Sequence, residues 1–100
     1  MFYIYVLQSL KDNNFYVGFT ENLKKRYFEH QDGKVFSTKS RTPFRLIYYE
    51  TYILKEDALC REKYLKTSMG KRVLKKQLSH FIKTIKSGKI ALDSEVIPTE

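Results

Sequence analysis

Residues 2–18 read FYIYVLQSLKDNNFYVG, and this stretch decides the fold. Phe2 to Leu7 is a run of aromatic and branched side chains, which suits a strand. Lys11-Asp12-Asn13-Asn14 is turn chemistry, because Asn and Asp tolerate left-handed backbone. Phe15-Tyr16-Val17-Gly18 resumes the strand pattern. Two such runs around a short polar turn predict a β-hairpin. Side chains alternate along a strand, so Tyr3, Tyr5 and Leu7 share one face of the first strand. Tyr16 and Gly18 share a face of the second. Gly18 at a strand end predicts close backbone approach or a tight turn.

Beyond the hairpin, Thr20 offers an N-cap with Glu21 in the first turn. A helix is expected from about Glu21 to Gln31, with Gly33 as its stop. Residues 33–44 (GKVFSTKSRTPF) are polar and basic and read as a loop. Arg45 to Ile53 (RLIYYETYI) reads as a third, Tyr-rich strand. Lys55 to Thr67 reads as a second helix, with Ala58, Glu62 and Leu65 recurring on one face. Ser68-Met69-Gly70 is expected to break it. Lys71 to about Lys86 reads as a third helix whose apolar stripe is Val73, Leu74, Leu78, Phe81, Ile82 and Ile85. Ser87-Gly88 ends that helix. Residues 89–100 contain Pro98 and several acids, and read as a tail packed weakly or not at all. The order is ββαβαα, an α+β sandwich of one sheet and three helices.

One hundred residues suit a single domain, here residues 1–88, with one modest core. No apolar run approaches the ~18 residues of a membrane span, and no segment has the layout of a signal peptide. Cys60 is the lone cysteine, so an intrachain disulfide and a Cys-rich zinc site are both excluded. These features fit a cytoplasmic protein. The formal charge is +8, from 19 Lys+Arg against 11 Asp+Glu, and a domain this basic usually meets a polyanion. Between Cys60 and Ile90 stand ten basic residues and one acid, Glu62. Interleaved tyrosines add stacking surface to that charge. A Lys-rich helix face can also be simply solvated.

Three further features bear on chemistry. Arg26 and His30 are i, i+4 on the first helix and share a face, at the border between core and solvent. Leu23 and Tyr27 form the neighbouring stripe that should point inward. Glu62 is an acid on a largely apolar stripe, and an isolated buried carboxylate is costly unless a cation satisfies it. Arg61, Lys63 or Lys66 could be that cation.

Together these residues resemble a known pattern. Tyr3-Ile4-Tyr5, followed eleven residues later by Tyr16-Val17-Gly18, resembles the two-part signature of the GIY-YIG nuclease domain. Tyr3 stands where the family name has Gly, and the second triplet is nearly literal. Glu21-Asn22-Leu23-Lys24-Lys25-Arg26 resembles the helix of the catalytic Arg, and Glu29-His30 follows it. Ser37-Thr38-Lys39-Ser40 with Pro43, then Leu46-Ile47-Tyr48-Tyr49-Glu50, resemble the loop and third strand of the short, stand-alone bacterial branch. Residues 58–66 (ALCREKYLK) resemble the helix of the metal-binding Glu. The match covers about residues 1 to 80.

The resemblance implies a three-stranded antiparallel sheet flanked by helices. It also implies hydrolysis of phosphodiester bonds in DNA by a divalent-metal-dependent endonuclease. Carried onto this chain, the catalytic set is Tyr5, Tyr16, Arg26, His30 and Glu62. Tyr5 and Tyr16 would sit beside the scissile phosphate, and one would help deprotonate the attacking water, given positive neighbours to lower a phenol of pKa ~10. Arg26 would donate to the non-bridging oxygens. His30 would orient a phosphate or relay a proton. Glu62 would be the sole protein carboxylate on Mg2+ or Mn2+, with waters completing the shell. Gly18, Lys25, Lys39, Arg41, Lys63, Lys66, Lys71 and Arg72 are the expected nucleic-acid contacts. The implied partner is DNA, with RNA as a second candidate. Neither a membrane nor an obligate protein partner is indicated. Two positions depart from the family pattern. No Asn follows Glu62, where many members have one that supports the site, and Phe19 stands where some have Lys. The alternatives are a non-catalytic nucleic-acid-binding module on the same scaffold, or a basic adaptor for an acidic protein.

Overall fold

A computed structural model describes residues 1–88. Strand β1 (Phe2–Ser9) pairs antiparallel with β2 (Phe15–Thr20) and with β3 (Phe44–Tyr52), giving the sheet order β2-β1-β3. Helix α1 (Leu23–Gln31) follows the hairpin, and α2 (Lys55–Leu65), α3 (Ser68–Gln77) and α4 (Ser79–Lys86) follow β3. The expected sheet is present, and the helices number four among the described residues, where three were expected. The expected tail, residues 89–100, lies outside the described residues.

The hairpin turn closes through Asn13, the only non-glycine residue at positive φ among the described residues (62°). Its N–H donates to the Ser9 carbonyl at 2.8 Å. The register puts Tyr5 opposite Gly18, and Leu7 opposite Tyr16. Central β1 therefore has two covered faces. Ile4 and Val6 pack with Val17 from β2 against Ala58, Leu65 and Leu74 of α2 and α3. Tyr5 and Leu7 pack on the other side against Leu23 and Tyr27 of α1 and Phe44 of β3. A register irregularity between Val6 and Leu7 interrupts the pairing with β3.

The helix ends follow local chemistry, in places not the expected one. Asn22, not Thr20, caps α1: its side chain accepts from the Lys25 N–H at 3.0 Å. Thr20 instead accepts from the Asn22 N–H, one step upstream. Gly33, at φ 71°, ends α1 as expected. The loop expected over 33–44 contains a single 3-10 turn, Lys39–Arg41.

The expected break at Ser68-Met69-Gly70 is the first turn of α3. Thr67 caps that turn by accepting from the Gly70 N–H at 3.0 Å. Gly70 is there because α3 crosses the end of α2 closely. A Cβ at Gly70 would overlap the Tyr64 carbonyl and the Leu65 Cα, both backbone. The single helix expected over 71–86 is split at Leu78, whose backbone leaves helical angles (φ −102°, ψ 23°) while its side chain packs on the core. Ile82 and Ile85 of α4 then border a hollow with Phe15 of β2.

Gly70→Ala tests the close crossing. Alanine is the better helix former by about 1 kcal/mol. The backbone overlap should nevertheless make the variant less stable, by roughly 1–3 kcal/mol. Urea denaturation measures this, and a variant as stable as wild type would contradict the crossing.

Candidate active site

The site is built on the α1 face of the sheet around one hydroxyl group. The Tyr5 ring lies across Gly18, its cross-strand partner, and a Cβ at Gly18 would overlap the phenol carbon and oxygen. The missing side chain is what lets the ring lie there. The Tyr5 hydroxyl is 2.8 Å from Nε2 of His30, and Nδ1 of His30 is 2.7 Å from the Thr38 hydroxyl. Arg26 Nε donates to the Tyr5 oxygen at 3.4 Å, and its Nη1 donates to Glu29 at 3.1 Å. Arg26 can only donate, so the proton of Tyr5 is free to go to Nε2. In that arrangement Nδ1 carries the imidazole proton and donates to Thr38.

Tyr16 completes the group through ring contacts. Its centroid is 5.2 Å from that of His30, edge-on, and 6.4 Å from that of Tyr5. Tyr16 is half-buried, and Tyr5, His30 and Thr38 are buried. His30 was expected at the border of core and solvent. Arg26 is at that border, but His30 is 0% exposed, because Phe44 and both tyrosines close over it.

Burial decides the protonation states. It pushes the Tyr5 phenol up to about 12, against the hydrogen bond from Arg26, and the charges of Tyr16 and Glu62 add to the rise. The expectation that positive neighbours would lower the phenol is therefore not met at Tyr5. Burial also pulls His30 down to about 4, helped by the charge of Arg26 and opposed by Glu29. At neutral pH the pair is a neutral phenol bonded to a neutral imidazole.

Glu62 comes from α2, in the opposite layer. Its carboxylate lies near enough for its charge to act on Tyr5, and it is ion-paired with Lys66 at 3.2 Å. Glu62 is 21% exposed and Lys66 51%, so the lysine can swing into solvent and leave the carboxylate. The described residues hold no cluster of three His, Cys, Asp or Glu suited to a metal. A single partly exposed carboxylate still suits Mg2+, which keeps several of its waters.

The expected nucleic-acid contacts divide. Lys25 lines a hollow of about 310 Å³ with Arg26, Thr20 and Glu29. Lys66 and Lys71 border a larger groove with Tyr16. Lys63 and Arg72 are exposed and lie outside that groove. Lys39 lies over the Phe36 ring, 4.9 Å from its centroid. Arg41 is held by Asp12 of the hairpin turn at 3.0 Å, which occupies the charge expected to meet a phosphate.

Two sets of residues were missed. Thr38 holds the second nitrogen of His30, and no periodicity in the loop singles it out. On the opposite face, Glu50 of β3 accepts from the hydroxyls of Tyr48 (2.5 Å) and Tyr52 (2.6 Å), and from Nε and Nη2 of Arg61 (3.0 Å each). Burial raises the Glu50 pKa, but the Arg61 hydrogen bond and the two hydroxyls more than offset this and hold it below the usual carboxylate value. The spacing of the YYETY run, which puts Tyr48, Glu50 and Tyr52 on one strand face, is the signal that could have found this cluster.

Comparison with known proteins places the chain in a family. Residues 1–77 match the model of the GIY-YIG catalytic domain. The chain belongs to the GIY-YIG family. A UPF0213 protein of Limosilactobacillus reuteri is 41% identical over 88 residues, 85% of this chain and 91% of that protein. A UPF0213 protein of Staphylococcus saprophyticus is 36% identical over 74 residues, 73% of this chain and 89% of that one. The solution NMR structure of a UPF0213 protein from Bacillus halodurans is 31% identical and covers 94% of this chain and 99% of its own, with a TM-score of 0.49. No helix among the described residues is long and apolar enough to cross a membrane.

The depressed pKa of His30 fixes a pH dependence. The unfolded chain takes up the proton near pH 6.5, and the folded one only near 4. His30 therefore contributes stability that is full above pH 6.5 and is lost as pH falls toward 4, on the order of 3 kcal/mol in all. Urea midpoints between pH 7 and 4 should fall for wild type and fall less for His30→Gln. An imidazole titration followed by NMR that gave a midpoint near 6.5 for His30 would contradict the buried neutral ring.

Proposed function

We propose that this chain is a divalent-metal-dependent endonuclease that hydrolyses phosphodiester bonds in DNA. The observation that carries the reading is the hydrogen-bonded group of Tyr5, His30 and Arg26, with Tyr16 against it and the charge of Glu62 in reach. A structural ion-pair cluster needs none of the aromatic hydroxyls and no glycine beneath one of them.

In this reading the phosphate lies at the half-exposed edge of the group, over Arg26. The guanidinium is held by Tyr5 and Glu29, and donates to the non-bridging oxygens as negative charge builds. Tyr5 is neutral at the pH of the reaction, so it serves as a shuttle and not as a standing base. Its oxygen takes the proton of the attacking water while its own proton goes to Nε2 of His30. Buried His30 holds a charge poorly, so the proton does not rest there. It returns through the Tyr5 hydroxyl, which passes a proton on to the departing oxygen. Tyr16 presents its phenol edge to the same space. Glu62 would hold the cation, Mg2+ or Mn2+, which supplies positive charge to the phosphate and the leaving oxygen.

Cleavage of plasmid, single-stranded and branched DNA, with and without Mg2+ or Mn2+, tests the reading. Arg26→Ala should slow turnover by about 100-fold or more, with a smaller loss of binding. Glu62→Gln should abolish metal-dependent cleavage and leave DNA binding intact or tighter, since a negative charge facing phosphate is gone. A folded Glu62→Gln protein that cleaves like wild type would sink the assignment of Glu62. Binding without cleavage by wild type would put the non-catalytic module in its place.

A further inference from the structure

The larger groove beside Tyr16 runs along the free edge of β2 and has a volume of about 460 Å³. Its floor is apolar, made by Val17, Leu65 and Leu74. A second hollow of about 400 Å³ shares Phe15 and Lys75 with it and continues toward α4. The two hollows adjoin, sharing Asn14, Phe15 and Lys75, and are treated as one trough with Tyr16 in the first of them. Four lysines border it: Lys66 and Lys71 near Tyr16, Lys75 at the junction, and Lys86 at the far end. No Asp or Glu among the described residues lines either hollow. Two carboxylates touch residues of its border: Glu62 through its ion pair with Lys66, and Asp12 through the Asn14 N–H at 2.9 Å.

A solvated lysine face would not look like this. On α3 the basic residues come in two i, i+4 rows. Lys71 and Lys75 border the trough, and Arg72 and Lys76 do not. The first row follows a concave apolar surface with an aromatic ring, Phe15, in its wall. Like charges along a groove with an aromatic wall suit a polynucleotide, whose phosphates meet the cations while a base stacks.

We propose that this trough holds the strand of nucleic acid that leaves the scissile phosphate, with its backbone along Lys66, Lys71, Lys75 and Lys86 and a base on Phe15. The proposal rests on the nuclease reading for its orientation, because Tyr16 belongs to both the trough and the candidate site. It also assigns Lys75, Lys86 and Phe15, which the sequence does not single out, and excludes Arg72.

Binding in EDTA tests the trough apart from any cleavage. The probes are a 5′-fluorescein 20-nucleotide DNA strand and its duplex, followed by anisotropy over a range of salt. Two charge-matched reversals on the same helix are compared: Lys71→Glu with Lys75→Glu, and Arg72→Glu with Lys76→Glu. The first pair should weaken binding by about tenfold or more. It should flatten the log–log salt slope by about 1.8 on duplex or about 1.4 on single strand, the value for two lost phosphate contacts. The second pair should weaken binding by less than about threefold. Lys71→Gln with Lys75→Gln gives the same test if the reversal fails to fold. Phe15→Leu should weaken binding severalfold with an unchanged slope. Equal losses from the two pairs, or no loss from the first, overturn the trough. Failure to cleave any DNA, with these binding differences intact, overturns the nuclease reading and leaves the trough standing.

Discussion

The hydrogen bond between the Tyr5 hydroxyl and His30 fastens together parts of the chain that are far apart in sequence. Tyr5 belongs to the central strand, His30 to the last turn of α1, and Thr38, on the other side of the imidazole, to the loop that leads into β3. An imidazole with no contact to water must have both nitrogens satisfied, or the fold loses the solvation of each. Meeting that requirement places the loop and the helix at once. The Gln31 amide reinforces the same junction, donating to the Tyr27 hydroxyl and accepting from the Phe44 N–H at 2.6 Å. Arg26 is then aimed by its bond to the same oxygen. The candidate chemistry is thus a by-product of how α1 is fastened to the sheet.

The other face of the sheet is fastened by charge as well as by apolar packing. Glu50 gathers four donor atoms, from Tyr48, Tyr52 and Arg61. Arg61 and Glu62 are neighbours on α2, so the clamp on one limits how far the other can turn. Bidentate contact with a carboxylate restrains an arginine in direction as well as in distance. Ala58 and Leu65 seat the same helix on β1 and β2. Glu62 therefore comes from a helix held by a salt bridge at one position and by core packing on either side. Its own partner, Lys66, is the loosest of these attachments.

The fold was largely legible because its signals are local. Alternation and turn residues mark the hairpin, and Gly33 marks the end of α1. The errors came where tertiary contact overrides a local sign. Gly70 looks like a breaker, yet it is a helical residue that keeps its place because two backbones nearly touch. Leu78 lies inside an unbroken apolar stripe, yet the helix turns there to bring Ile82 and Ile85 toward the edge of the sheet. Among the site residues, strand alternation and helix spacing gave faces for Tyr5, Tyr16, Arg26 and His30, and the family resemblance grouped them. Thr38 could not be given a face, since a loop has no period from which to read a direction. The burial of His30 was missed because helix spacing locates a residue on a face, but does not say how far the rings of other elements close over it.

Gly18 carries a consequence for reading other sequences. The space its side chain would fill is taken by the Tyr5 phenol. A related chain with any larger residue at this position cannot keep the ring where it is. The ring must swing aside, the residue at position 5 must shrink, or the hairpin must open. A larger residue at position 18 therefore displaces the Tyr5 hydroxyl from the place where it meets His30.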